Sequence, residues 1–305
     1  MGFASVTSTY AGDALKKYIL AALIGGETLS TNGISVETNI KYKRKIKKLT
    51  SAGIVQVGGC EFTPTSGVTI TEGVLEPQRI KVNESLCFDE FDELWDSETM
   101  TAGQHAQNVP QEVLNAITEE FTNQVAKEVE EVIWQGEYVA TGTTIKELFS
   151  GYETLLEAGS AVKLTGDTLT TANILTELDK VYAALPAGVR KKGKDGLVFF
   201  VSYKAASLYE MNLQAQGMNT SATGGVMRVY DIELKPVGGL SDDNIIVFGA
   251  RDNFYFGTDL AEDMNEIKLI DMRETTGDDA VRFIMKAKAD VTIALTNEVV
   301  FYRPV

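Results

Sequence analysis

The sequence predicts an α+β fold, and three segments carry the prediction. Residues 110–135 repeat apolar side chains at helical spacing over a length too great for a strand. Residues 164–257 alternate helical patterns with short apolar strands, among them the unbroken run LVFFV at Leu197–Val201. Residues 281–295 alternate apolar and polar side chains along one long strand.

Composition narrows the class. The 305 residues are 44% hydrophobic and 23% charged, an ordinary folded chain long enough for one large core or two modest ones. Formal net charge is −15, so the chain as a whole repels phosphate backbones. No apolar run approaches the roughly 20 residues a membrane span requires, which predicts a soluble chain made in the cytoplasm. Cys60 and Cys87 make no disulfide framework and are expected as reduced thiols.

Within residues 8–24, Ala11, Leu15, Tyr18, Ile19, Ala22 and Leu23 recur at helical spacing and predict an amphipathic helix. A helix this small needs the body of the protein or a neighbouring subunit to cover its apolar stripe. The polar stretch Ser30–Gly33 separates this arm from the next segment. Residues 34–86 then read as strands and turns. Ile54, Val55 and Val57 run up to Gly58, Val68–Thr71 alternates between turn residues, and Ile80 and Val82 alternate with Arg79 and Lys81. Strands polar on both faces predict an extended, hairpin-like loop that projects from the body.

Two charged stretches stand out here. KYKRKIKK, Lys41–Lys48, places six basic side chains in eight residues. Strand alternation puts Lys41, Lys43, Lys45 and Lys47 on one face, with Tyr42, Arg44, Ile46 and Lys48 on the other. FDEFDELWDSE, residues 88–98, interleaves Phe88, Phe91, Leu94 and Trp95 with six carboxylates and predicts a short helix with one acidic face.

Further along, Pro110 opens the longest helix and Gly136 ends it, with Val113, Ile117, Phe121, Val125, Val129 and Ile133 recurring every four residues. A second helix is expected over about 144–156. Helices over 171–185 and 204–214 then bracket LVFFV, and strands follow at 226–235, 244–248 and 253–256. This predicts a compact α/β block whose central strand is buried on both faces. Residues 281–295 and Val299–Tyr302 predict antiparallel sheet with one packed face.

Signatures of catalysis are missing from the sequence. His105 is the one histidine, so a triad or a histidine metal site would lack partners. The cysteines form no CxxC, and Thr141–Lys146 (TGTTIK) has phosphate-loop letters in the wrong order. No enzyme, cofactor or metal site is expected.

Specific segments carry a resemblance. ILTELDKVYAALP (Ile174–Pro186), LVFFVSYKAASLY (Leu197–Tyr209) and VYDIELKPVGGLSDDNIIVFGARDNFYFGTDL (Val229–Leu260) resemble the axial domain of HK97-fold major capsid proteins of tailed bacteriophages. NIKYKRKIKKL (Asn39–Leu49), VLEPQRIKVN (Val74–Asn83) and IDMRETTGDD (Ile270–Asp279) are similar to stretches of such proteins from phages of Bacteroidetes hosts. The resemblance spans nearly the whole chain. It implies an N-terminal arm at 1–35 and an arm-to-E-loop β segment at 36–86. A peripheral domain with the spine helix would take 87–163, an inserted axial domain 164–260, and the peripheral domain's closing strands 261–305. The implied function is self-assembly into hexamers and pentamers of an icosahedral head. That head would enclose double-stranded DNA without reading its sequence, and the chain would reside in the virion after assembly in the host cytoplasm. A portal, a separate scaffolding protein and, in some heads, a decoration protein are the implied partners. Because the chain starts within a few residues of the arm, scaffolding is expected from a separate protein or from a segment already removed.

On that reading Lys41, Lys43, Arg44, Lys45, Lys47 and Lys48 are expected to pair with Asp89, Glu90, Asp92 and Glu93 of an adjacent subunit. Exposed pairs contribute little individually but select register when repeated around a shell. Contact with packaged DNA and a merely solvated face are the rival roles. In some relatives an E-loop lysine forms an isopeptide bond to an asparagine; Lys81 and Asn297 have plausible chain positions, and nothing in the sequence brings them together. Two other functions remain open: an encapsulin-type compartment shell, and an α/β enzyme with its site at the strand ends of residues 197–257.

Overall fold

The computed structural model describes residues 7–10, 27–30, 33–51, 53–58, 62, 64–65, 67–87, 111–217, 226–259, 266–272 and 276–304. The chain opens with β1 (Thr7–Tyr10), α1 (Glu27–Ser30), β2 (Ser35–Glu37), β3 (Arg44–Ser51), β4 (Val68–Leu75) and β5 (Gln78–Cys87). The long helix α2 (Gln111–Gln135), α3 (Tyr152–Ala158), β6 (Val162–Gly166), α4 (Ile174–Ala184) and α5 (Ala187–Arg190) follow. Then come β7 (Leu197–Val201), α6 (Tyr203–Ala215), β8 (Arg228–Val229), β9 (Ile232–Pro236), β10 (Ile246–Ala250) and β11 (Phe254–Thr258). The end comprises β12 (Glu266–Asp271), β13 (Ala280–Ile293) and β14 (Val300–Pro304).

Three sheets organise these elements. The first runs β1-β12-β13-β11-β2, with β5 also paired to β13. Along β13 the odd-numbered residues Val281, Phe283, Met285 and Ala287 are buried, and α2 covers them. Val125, Val129, Val132 and Ile133 of α2 belong to the same core, and Phe121 meets Phe283 at 5.0 Å between ring centroids. The helix is there because its four-residue apolar repeat matches the one apolar face of this sheet.

The second sheet runs β6-β14-β10-β7-β9-β8. Every residue of β7 is buried. Val198 and Phe200 face the core shared with α2, whereas Leu197, Phe199 and Val201 face the core built with α4 and α6. A strand covered on both faces has no position for a polar side chain, which explains the unbroken apolar run. The third sheet is the β3–β4 ribbon alone.

A polar knot pins the short helix α1 to both blocks. Thr28 Oγ1 bonds the Glu130 carboxylate of α2 and accepts from Trp134 Nε1 at 2.8 Å. Lys235 Nζ of β9 donates to the Thr28 carbonyl at 2.9 Å. Thr28, Glu130, Trp134 and Lys235 are all buried.

Several expectations need correction. Ser8–Tyr10 form strand rather than helix, because β12 offers an open edge to which Thr7–Tyr10 pairs; the rest of the expected 8–24 helix lies outside the described residues. The projecting segment is only β3–β4. β5 belongs to the first sheet and pairs with β13 over ten residues, Gln78–Cys87. Ile54, Val55 and Val57 form no strand and are exposed. The expected helix over 144–156 is a 3-10 turn at Ile145–Glu147 followed by α3. Gly151 breaks it: its N–H donates to Gly136 O at 2.7 Å, and a Cβ there would lie 2.5 Å from Trp134 O. The single strand expected at 226–235 is a hairpin turning at Tyr230 and Asp231, both at positive φ (55° and 65°), the conformation tight hairpins require. Val300–Pro304 joins the second sheet, antiparallel to β10 and parallel to β6, instead of extending the β13 sheet.

Candidate assembly surface

The β3–β4 ribbon is the site around which the sequence-level expectations cluster. Its register places Ile46 opposite Gly73 and Lys47 opposite Glu72. One face of the ribbon carries Ile46 and Leu75, which join Ile40 and Ala294 in a small core at the ribbon's foot. Two side chains of β13 hold the two chain crossings there. Lys288 Nζ reaches the Lys41 carbonyl at 3.4 Å and the buried Asp259 carboxylate at 3.3 Å. The Asp290 carboxylate accepts from Glu76 N at 2.6 Å. Burial pushes the Asp290 carboxyl up to about 6, against the pull of the backbone donors Glu76 and Val291.

The basic run is matched to carboxylates of its own chain. Lys43 pairs with Glu76 at 3.1 Å and Arg44 with Glu37 at 2.7 Å. Lys45 and Lys47 converge on Glu72 at 2.8 and 3.4 Å. Those two hydrogen bonds hold the Glu72 carboxyl below its ordinary value. Lys48 reaches Asp252 at 3.7 Å, and burial draws its ammonium down while Asp252 pulls it up. The expected alternation holds over the strand, with Lys45 and Lys47 on the free face and Arg44 and Lys48 beside Ile46. Lys41 precedes the strand and is exposed. Asp89, Glu90, Asp92 and Glu93 lie outside the described residues, as do His105 and Cys60. The partners the structure supplies, Glu37, Glu72, Glu76 and Asp252, were missed from sequence. The Lys47–Glu72 match was the readable part: once β3 and β4 are paired, opposite charges face each other across strands.

Beyond Lys48, which reaches Asp252, the ribbon is exposed. Val55, Val57 and Phe62 are 90%, 97% and 93% exposed, and Leu49, Val68 and Ile70 are exposed too. A two-stranded ribbon is marginal by itself, and apolar side chains this exposed make its tip a candidate interaction site.

Elsewhere, Cys87 is a free, exposed thiol at the end of β5. Lys81 lies on β5 and Asn297 in the 3-10 turn Thr296–Glu298. Among the described residues, no group of three or more His, Cys, Asp or Glu could hold a metal ion, and no helix is long and apolar enough to cross a membrane.

Neither protein-family profiles nor curated protein sequences match the chain. Solved structures do. A chain of the satellite phage P4 procapsid, a particle that includes the size determination (Sid) protein, is similar over 98% of this chain and 94% of its own, at 11% identity and TM-score 0.63. The capsid of Myoviridae phage XM1 matches over 92% of both chains, at 13% identity and TM-score 0.59. A virus-like particle from Pyrococcus furiosus matches over 95% of this chain and 97% of its own, at 12% identity and TM-score 0.52. What is shared at such identities is the fold: this chain has the mixed α+β fold of phage capsid chains.

Proposed function

We propose that this protein is the major capsid protein of a tailed bacteriophage, a structural subunit that self-assembles into a closed icosahedral shell around double-stranded DNA. The end-to-end correspondence with the P4 procapsid chain carries the reading. The exposed apolar side chains Val55, Val57 and Phe62 at the ribbon tip support it independently, because a subunit of a shell has neighbours to cover them.

In this reading β3–β4 is the E-loop, α2 the spine helix, and residues 164–260 the axial domain. Residues 87–163 and 261–305 form the peripheral domain, with the arm at 1–35. The partnership of β6 and β14 with β10 favours moving those two strands to the axial side. The subunits form hexamers and pentamers, joined by a portal and a separate scaffolding protein, and the shell resides in the virion. Lys41, Lys43, Arg44, Lys45, Lys47 and Lys48 remain the proposed contact for Asp89, Glu90, Asp92 and Glu93 of a neighbour. Their pairing within the chain turns that contact into an exchange of partners.

Sedimentation of the purified chain, alone and with co-expressed scaffold, tests the reading. Particles of shell size are expected. A monomer or small oligomer with a closed pocket, under every salt and scaffold condition, would favour an α/β enzyme with its site at the strand ends of residues 197–257. The similarity to the Pyrococcus furiosus particle keeps one second reading, a compartment shell with protein cargo. Nucleic acid inside the particles supports the phage head, and an enzyme inside supports the compartment.

A further inference from the structure

We propose that the outward face of β5 and β13 is a docking surface for a carboxylate-bearing surface of a second copy of this chain. The inference rests on the shell reading and names one contact within it.

The odd-numbered residues of β13 are buried under α2, so the even-numbered ones face away from it. On that face the register sets Arg282 opposite Ser85, Ile284 opposite Asn83, Lys286 opposite Lys81, and Lys288 opposite Arg79. Two successive cross-strand pairs are therefore cation against cation. Like charges directly opposite destabilise a sheet, and breaking that local rule points to a function that needs it. Lys288 is neutralised by Asp259. Among the described residues, Arg79, Lys81 and Arg282 have no such carboxylate. Asn83, with its amide oriented to suit both neighbours, accepts from Lys81 Nζ at 2.9 Å and donates to Val82 O at 3.0 Å.

Lys81, Asn83, Ser85, Arg282, Ile284 and Lys286 line an open groove of about 400 Å³, with Glu84 as the one acid along it. Three cations, two small polar groups and an apolar floor suit a carboxylate side chain with an apolar neighbour. On the ribbon each paired cation has a carboxylate on its own chain, whereas among the described residues Lys81 and Arg282 have none.

A copy of the same chain is the occupant the chemistry favours. With 43 acidic residues against 28 basic ones, the chain's own surface is the nearest source of carboxylates. On α2, Glu119, Glu120 and Glu128 are exposed. Furthermore, among the described residues no strand pairs with the outer edge of β5. A protein backbone can complement that edge, whereas a nucleic acid offers phosphate to the cations but no ladder to the strand.

The test couples carboxylates to amines with a zero-length carbodiimide, in particles grown from equal amounts of ¹⁴N- and ¹⁵N-labelled chain. Mass spectrometry should find mixed-isotope links from Lys81 or Lys286 to an Asp or Glu. Lys81→Glu/Arg282→Glu should fold normally by circular dichroism, yet assemble about tenfold less at low salt, where charge steering is strongest. Lys81→Gln/Arg282→Gln serves if the reversal does not fold. Wild-type particles with mixed-isotope links elsewhere but none at these lysines, and variants that assemble like wild type, overturn the contact while the shell reading stands. Normal variant shells that lose their DNA also overturn it, in favour of a phosphate contact. Mixed-isotope links at Lys81 without any shells would sink the shell reading and leave the contact.

Discussion

Asp290 lies where the ribbon returns to the body, and its titration gives a sharp expectation. Burial raises its carboxyl to about 6 in the folded chain from an ordinary 3.8. The folded state therefore holds this proton more tightly than the unfolded state. The stability gained from it is complete below about 3.8 and is lost as pH rises through about 6. The thermal midpoint of the unassembled chain should fall as pH rises from about 4 to 6.5, and Asp290→Asn, which keeps an oxygen for Glu76 N, should flatten that slope. A residual slope of the same sign is expected from Glu153, also raised, chiefly by burial. Equal slopes for wild type and variant would refute the assignment. At the other polar knot, Thr28→Val removes the hydroxyl shared by Glu130 and Trp134, which should cost about 1–3 kcal/mol in denaturant unfolding. Neither knot was legible in sequence. Thr28 and Glu130 are 102 positions apart, and only the packing of α1 on α2 brings them together.

At the scale of elements, legibility followed periodicity. The α2 helix was readable because its apolar repeat persists over 25 residues, and β7 because five consecutive apolar residues leave it no exposed face. Residues 144–156 misled because their apolar spacing is helical, while the close approach of Gly151 to Gly136 stops one helix and starts another. The N-terminal strand β1 was hidden because an edge four residues long is set by its partner rather than by its own pattern. For the ribbon, the hairpin was legible and its extent was not, since β5 has polar alternation yet is held along its whole length by β13. Its tip supplies a prediction. Val55→Ser/Val57→Ser/Phe62→Ser should leave the thermal midpoint of the unassembled chain within about 2 °C of wild type, since exposed side chains away from packed features change stability little. The same triple variant should fail to form shells, as judged by sedimentation. Shells at wild-type yield would mean that the tip is not covered by a neighbour.

For the whole molecule, the order of segments was the strongest signal. Projecting ribbon, long helix, α/β block and returning strand appear in the structure as they do along the chain. The exception is β14, which the sequence placed with β13 and the structure places beside β10, because strand partners far apart in sequence leave no local trace. Of the candidate site, the basic run was visible from composition, but its cis carboxylates and the cation pairs across β5 and β13 emerge only once register is fixed. Net charge −15 sets copies of the chain against one another, so on the proposed shell reading their association has to be steered by local charge matching. Electron microscopy of the purified chain with scaffold, after size-exclusion chromatography, tests the central claim most directly. Closed angular shells, or rings of five and six that condense into them, are the predicted result. A homogeneous monomer or dimer that assembles under no salt or scaffold condition would contradict it.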